Sequence, residues 1–186
     1  MLVGDPQQLN PVIVLDKTDD ERLKKEYNIP DVYDFMNNSV YKTFIANDFI
    51  SNEILLNYHY RCPPQIIQFN NKKYYNNKLQ IETKIKTENA LSLLTVDRNE
   101  STIRNAAPAE SEIILKYIKE NKNKSIGIIT PFKNQKKEIE ETLRNAGVLV
   151  NDRKSNISCG TVHSFQGDEK DEVIFSLALT NKTGIG

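Results

Sequence analysis

Apolar runs alternate with amphipathic stretches through the second half of the chain, and this alternation most constrains the fold. The predicted elements are strands at 91–96, 125–129, 156–161 and 172–179, and helices at 109–120 and 131–146. Strands that are joined through helices run parallel, with right-handed connections and helices on both faces of the sheet. The last run is almost continuously apolar, which is typical of a strand buried on both faces. The expected fold class is α/β, in three α/β/α layers with a mainly parallel sheet.

The segment 54–64 places an aromatic residue and an arginine where a strand gives way to a helix. The apolar run 54–56 predicts a strand, and the prolines at 63 and 64 suit the first turn of a helix. Tyr60 and Arg61 lie between the two, at the kind of sheet edge where ligands bind in open α/β folds. Tyr60 can stack on a base there, and Arg61 can hold a phosphate. A packed tyrosine and a surface ion pair explain the same residues, so both interpretations stay open at this point.

A helix is also predicted to open at Thr130-Pro131, directly after a buried strand. Thr130 can cap the helix and proline can occupy its first turn. The free N–H groups and the positive end of the helix dipole can then hold a backbone phosphate, with Thr130, Lys133 and Gln135 as additional donors. A well-capped helix without a ligand accounts for the pattern equally well.

The densest polar loop, 162–170, also follows a predicted strand. Thr161 and Ser164 carry hydroxyl donors, Gly167 lets the backbone approach a ligand, and Glu169 can accept hydrogen bonds from ribose hydroxyls. His163 beside Ser164 does not make a nucleophile pair, because adjacent side chains seldom face each other. We expect His163 to be an exposed or packed histidine.

The first fifty residues are predicted to lead into the main domain. Residues 1–3 are typical of the end of a buried strand, and 4–11 of a loop whose amides, including Gln8, can sense a terminal phosphate or simply form a solvated turn. An exposed loop or short helix is expected from residue 16, and one or two short helices within 32–46. The main domain is expected to begin near Ser51.

Composition narrows the range of functions. Lys plus Arg equals Asp plus Glu at 25 each, so any nucleic-acid contact must come from a local groove. The two cysteines, Cys62 and Cys159, are far apart and near no cluster of metal ligands, which fits a reducing cytoplasm. No membrane-spanning run or signal peptide is found. None of the seven glycines has the Gly-x-x-x-x-Gly-Lys-Ser/Thr spacing of a phosphate loop.

Taken together, four segments resemble the motifs of a superfamily-one helicase, of the branch that includes the nonsense-mediated-decay RNA helicase and its DNA-helicase relatives. They are 3–9, similar to the third motif; 56–75, similar to the fourth; 126–135, similar to "Gly-Ile-Ile-Thr-Pro-Tyr-x-x-Gln"; and 161–171, similar to the fifth, "Thr-Val-x-Ser-Phe-Gln-Gly-x-Glu-x-Asp". The sequence departs from the pattern at Cys62, where a bulkier residue is usual, at Phe132, where tyrosine is usual, and at His163, where relatives often carry an acid.

The resemblance implies a RecA-like fold of the P-loop NTPase type, here without the phosphate loop. It implies that Tyr60 stacks on the adenine of ATP, that Arg61 reaches the γ-phosphate as an arginine finger, and that Gln8 senses this phosphate. Gly167 and Glu169 are implied to line the nucleotide cleft. The residues implied to touch a nucleic-acid backbone are Thr130, Pro131, Gln135, Thr161 and Ser164.

The resemblance further implies that the intact enzyme uses ATP and Mg²⁺, with the phosphate loop and Mg²⁺ ligands in a first RecA-like lobe before Met1 and the sixth motif after Gly186. Residues 1–50 are then the tail of that lobe and a connection, and 51–186 most of the second lobe. The implied partners are single-stranded DNA or RNA and the missing lobe of the same polypeptide, with no membrane. A non-catalytic RecA-like module that binds nucleic acid or protein is the alternative. The choice between DNA and RNA, the direction of translocation and the oligomeric state stay open.

Overall fold

A computed structural model describes residues 2–9, 13–85, 87, 89–96 and 100–183. The chain divides into two compact units, residues 1–93 and 94–186. Each is described by itself. The domain boundary expected near Ser51 stays a prediction.

The first unit contains three α-helices and a small parallel sheet in its described part. Its elements are α1 (Lys17–Tyr27), a 3-10 turn (Asp31–Tyr33), α2 (Val40–Asn47), β1 (Tyr58–His59), α3 (Pro64–Tyr74) and β2 (Gln80–Ile81). Asp16 caps α1 by accepting a hydrogen bond from the Asp19 N–H, and Ser39 caps α2 in the same way. The short helices predicted within 32–46 are therefore confirmed. The segment from residue 16, predicted as a loop or short helix, forms α1.

Two strand predictions in this unit are wrong. Residues 54–56 have no regular structure and are exposed, and the strand lies instead at Tyr58–His59, where β2 supplies a parallel partner. Leu2 and Val3 are likewise exposed and outside any strand, while Met1 lies outside the described residues. An apolar run becomes a strand only where a neighbour pairs with its backbone, and the run itself does not reveal that neighbour.

The second unit is a three-stranded parallel sheet with two helices. Its elements are α4 (Pro108–Glu120), β3 (Ile126–Thr130), α5 (Lys133–Asn145), β4 (Ile157–Thr161), a 3-10 turn (Val162–Phe165) and β5 (Glu172–Phe175), with strand order β4-β3-β5. The core forms where α4 and α5 pack on one face of the sheet. It consists of Ile114, Leu115, Ile118, Ile126, Ile128, Ile139, Leu143 and Cys159.

The opposite face of this sheet is covered by the 3-10 turn and the loop after it. A Cβ added to Gly127 would lie 2.9 Å from the Phe165 ring, and one added to Gly160 would lie 2.0 Å from Ser164 Oγ. The two glycines therefore make room for the turn to lie directly on the strands. In the described part of this unit, both α-helices pack on the other face, opposite the turn.

Three further expectations in this unit are corrected. Residues 91–96 form no strand. The strand predicted at 172–179 ends at Phe175, and Val173 and Phe175 are 56% and 55% exposed because β5 is an edge of the sheet with one packed face. Helix α5 begins at Lys133, two residues after the proline.

The architecture is mixed α/β with parallel strands in two sheets, consistent with a RecA-like fold. No helix within the described residues has the length and apolar character needed to cross a membrane.

Candidate nucleotide and nucleic-acid site

The predicted corner at Tyr60 and Arg61 lies between β1 and α3, as expected. Pro64 occupies the first turn of α3, and both corner residues are exposed, Tyr60 to 65% of its surface. A parallel ladder fixes the strand before the corner, since Tyr58 pairs with Gln80 and His59 with Ile81. The corner therefore faces away from the core of its unit.

The ring of Tyr60 is stacked on that of Tyr58. The ring centroids are 6.3 Å apart with an interplanar angle of 13°, and Tyr58 is also exposed, to 56%. Residues two apart on a strand project to the same side, which explains why these two rings meet. Together they present an aromatic surface next in sequence to Arg61.

His59 shapes the turn that carries Arg61. Its Nε2 accepts a hydrogen bond of 2.8 Å from the Cys62 N–H, which requires a neutral imidazole. Burial, and then the nearby charge of Arg61, lowers the pKa of His59 below its usual value. The neutral ring is therefore favoured, and the turn between β1 and α3 is held closed.

Gln8 lies in a turn organised by the carboxylate of Asp5. Asp5 accepts hydrogen bonds from the Gln7 N–H (3.0 Å), Gln8 Nε2 (3.0 Å) and the Tyr75 hydroxyl (2.7 Å). Burial raises the pKa of Asp5, but these three bonds outweigh it and lower the pKa below its usual value. Burial and the bond to Asp5 raise the pKa of Tyr75 to about 12. The turn with Gln8 is therefore anchored to the end of α3.

In the second unit, the predicted nucleic-acid segments meet at the carboxyl edge of the sheet. Thr130 and Thr161 are register partners at the ends of β3 and β4, so the segments that follow them start side by side. Thr130 is fully buried, and its Oγ1 accepts a hydrogen bond of 3.4 Å from the Phe132 N–H. Pro131 is exposed and Thr161 is half-buried.

The loop after β4 carries three of the predicted site residues. Ser164 Oγ donates a hydrogen bond of 2.7 Å to the Thr161 carbonyl, which closes the 3-10 turn. Gly167 has φ +86° with no neighbour within 4 Å of an added Cβ, so its backbone conformation, not crowding, requires glycine. Glu169 is exposed, and its N–H donates to Asp168 Oδ1 at 2.8 Å.

Gln135 is fully buried and connects three segments of its unit. Its Oε1 accepts a bond of 2.6 Å from the Ala107 N–H, and its Nε2 donates to Ser176 Oγ at 2.9 Å. Ser176 in turn donates to Glu110 Oε2 at 2.7 Å. The side chains of Gln135 and Thr130 do not reach the surface of the unit, and their predicted role toward nucleic acid stays a prediction.

Several residues that shape the site were missed from the sequence. Tyr58, His59, Asp5 and Tyr75 position the corner and the Gln8 turn, and Ser176 completes the Gln135 network. For Tyr58 a signal existed, because a residue two before Tyr60 shares its side of a strand. The other contacts join residues that the sequence does not relate.

A cavity also lies elsewhere in the first unit. It is an apolar groove of about 520 Å³ lined by Tyr33, Thr43, Phe44, Asn47, Asp48, Phe49 and Ile50, none of them a predicted site residue. Over the described part of the chain, no three His, Cys, Asp or Glu side chains form a group that could hold a metal ion.

Comparison with known proteins gives one family match and several similar sequences. The AAA domain family AAA_12 matches residues 36–186. Helicase sen1 of Schizosaccharomyces pombe is 25% identical over 209 residues, covering 100% of this chain and 11% of that protein. The regulator of nonsense transcripts 1 homolog of Neurospora crassa is 25% identical, over 100% of this chain and 18% of that protein. ATP-dependent helicase NAM7 of Saccharomyces cerevisiae is 26% identical, over 98% of this chain and 20% of that protein.

The chain thus spans between 11% and 20% of the length of these relatives. At least 98% of the chain is similar to one part of each relative. The family match includes both the Tyr60–Arg61 corner and the loop after β4.

Proposed function

The chain belongs to the AAA domain family AAA_12, and from this membership we propose that it is the C-terminal motor lobe of an ATP-dependent nucleic-acid helicase. The observation that carries the proposal is the exposed Tyr60–Arg61 corner between β1 and α3. Neighbouring residues there offer an aromatic face for a base and a guanidinium for a phosphate. ATP would bind between this lobe and a first RecA-like lobe of the same polypeptide.

At the corner, Tyr60 stacks on adenine and Arg61 directs its guanidinium at the γ-phosphate. An arginine finger contributes on the order of 10³–10⁵ in rate by stabilising charge on the transferring group. Gln8 senses the same phosphate. Mg²⁺, when bound, would neutralise phosphate charge. From the resemblance to helicase motifs, we assign its ligands to the first lobe.

In the second unit, Gly167 and Glu169 line the nucleotide cleft, and the carboxyl edge of the sheet holds the backbone of single-stranded DNA or RNA. Thr161, Ser164 and Pro131 lie nearest to the surface for this purpose. Thr130 and Gln135 are buried and act by holding the segments that carry the contacts. Closure of the two lobes around ATP shifts these backbone contacts along the single strand. Because the contacts are to the backbone, binding has only a weak sequence preference. We place the protein in the cytoplasm.

Replacing the arginine finger tests the proposal. In the full-length protein, Arg61→Ala should lower the ATP turnover rate by at least about 10³-fold, because the charge at the γ-phosphate is lost. Arg61→Lys should also lower the turnover rate, since an ammonium lacks the planar, forked geometry of a guanidinium. Binding of a labelled single strand without nucleotide should change by less than about twofold, because phosphate contacts elsewhere dominate that affinity.

Arg153→Ala is the matched control, since Arg153 is also exposed but lies in the turn between α5 and β4. Both changes remove one surface guanidinium. Turnover in Arg61→Ala equal to that of Arg153→Ala would remove Arg61 from the nucleotide site.

The second candidate is a non-catalytic RecA-like module that binds nucleic acid or protein. The sequence is compatible with it, since these 186 residues contain no phosphate-loop pattern. The flanking coding sequence separates the two. A phosphate loop with an acidic magnesium motif upstream supports the motor, and an upstream sequence without either supports the module.

A further inference from the structure

The segment from residue 54 to residue 81 contains no aspartate or glutamate, although acids and bases are equal in number over the whole chain. It contains four cations, Arg61, Lys72, Lys73 and Lys78. The three lysines are exposed and form no ion pair with any described residue. From outside the segment, the carboxylate of Asp5 contacts Tyr75, and its oxygens also accept hydrogen bonds from Gln7 and Gln8. The segment is therefore a local positive surface on a neutral protein.

Helix α3 adds exposed aromatic rings to this surface. Phe69 is 64% exposed and Tyr74 41%. The ammonium of Lys73 lies 5.5 Å from the centroid of each ring, so one cation is held by two aromatic side chains. Ile67 and Asn71 form the buried side of the helix. The last two turns of α3 therefore combine positive charge with uncovered ring surface.

Helix stability by itself explains part of this arrangement. Lysines in the last turn of a helix are favoured by its dipole, which accounts for Lys72 and Lys73. The dipole does not explain a phenylalanine left two-thirds exposed or the missing carboxylates. Lysines with interleaved aromatic rings match a single strand, because phosphates pair with the cations and unpaired bases stack on the rings. A duplex or an acidic peptide would use the charges but leave the rings without a stacking partner.

We propose that the last two turns of α3, through Phe69, Lys72, Lys73 and Tyr74, with Lys78 just beyond them, are an additional contact for single-stranded nucleic acid. It rests on the proposed function only in taking nucleic acid as the ligand. It lies outside the segments at the edge of the β3–β4 sheet to which that function assigns the strand. Binding here does not require ATP.

Fluorescence anisotropy with labelled oligothymidylate and oligouridylate, without nucleotide, tests this surface in the full-length protein. Lys72→Ala combined with Lys73→Ala should weaken binding about tenfold and lower the slope of log K against log salt by about 1.4, the value for two single-strand phosphate contacts. Phe69→Ala should weaken single-strand binding about tenfold through lost stacking, and should leave duplex binding unchanged. Alanine favours helix and Phe69 is exposed, so the fold should persist, which circular dichroism checks.

Lys116→Ala combined with Lys119→Ala is the matched control. These lysines are also exposed on a helix, α4, but lie beside Glu112 and Glu120. Control binding should stay within about twofold of wild type.

Four results would overturn the proposal. The first three are no single-strand binding by the wild type, equal losses of affinity in the control and α3 variants, and binding that the α3 changes leave unaltered. The fourth is displacement of the labelled strand by polyglutamate while Phe69→Ala leaves its affinity unchanged. None of them bears on the Arg61 turnover assay. Turnover that is unchanged by Arg61→Ala, with α3-dependent binding intact, would instead count only against the motor.

Discussion

At the residue scale, Gln135 belongs both to a helicase-like sequence motif and to the interior of the fold. The same side chain that resembles a nucleic-acid contact is fully buried and hydrogen-bonded to Ala107 and Ser176. Each end of the amide has a partner, so the group is satisfied in the interior. Its physical effect in this unit is to join the start of α5 to the segments before α4 and after β5.

We expect Gln135→Leu to lower the free energy of unfolding by about 2–3 kcal/mol, because the buried Ala107 N–H loses its acceptor. Urea denaturation measures this effect. Gln68→Leu, on the exposed side of α3, is the control and should change stability by less than about 0.5 kcal/mol. Equal stability of the two variants would show that the Gln135 network contributes nothing to the fold.

His59 gives the corner a pH dependence. Its folded pKa lies below the unfolded value of 6.5, so its contribution to stability is complete above pH 6.5 and is lost as the pH falls through the folded pKa. Protonation of Nε2 also removes the acceptor for the Cys62 N–H. We expect wild type to lose more unfolding free energy than His59→Phe when urea titrations at pH 7 and pH 5 are compared. Equal losses of unfolding free energy in the two proteins would exclude His59 as the source of the pH dependence.

At the scale of elements, the contact between β4 and the 3-10 turn depends on a missing side chain. We expect Gly160→Ala to destabilise the protein by about 1–3 kcal/mol, because the new Cβ would meet Ser164 Oγ at 2.0 Å and the Phe165 ring at 3.1 Å. Ser164 would have to give up its bond to the Thr161 carbonyl. Hydrogen exchange should show faster exchange across residues 161–166.

Gly147→Ala is the comparison for this element. Gly147 has φ +75° with open space around it, so its replacement brings backbone strain of about 1 kcal/mol and no clash. Exchange at 161–166 should stay at the wild-type rate. Acceleration in both variants alike would mean that the turn responds to general loss of stability.

Elements with strong periodicity or clear end signals were predictable, and short strands were not. Helices α4 and α5 carry three or more buried apolar or amide positions at helical spacing, and Gly147 ends the second of them. The apolar runs at 54–56 and 91–96 look similar to β3 in sequence but form no strand. The difference is pairing: β3 lies between two parallel neighbours, and those runs have none in the described structure.

At the scale of the whole molecule, the proposed motor lobe supplies only part of an ATP site. We expect the isolated chain of 186 residues to bind ATP weakly and to hydrolyse it negligibly, because the proposed function assigns the phosphate loop to another lobe. A coupled ATPase assay with and without Mg²⁺ measures this. Robust magnesium-dependent turnover by the isolated chain would contradict it and would place a complete site in these residues.

The sequence by itself determined the class of fold, the order of the main helices and strands of the second unit, and the place of Tyr60 and Arg61 before a proline-started helix. These depend on local properties: apolar periodicity, proline at helix starts and glycine after helix ends. Only the tertiary structure decided which apolar runs became strands, that Thr130 and Gln135 are buried, and that Tyr58 and His59 shape the corner. These depend on partners brought together by folding, which spacing along the chain does not encode.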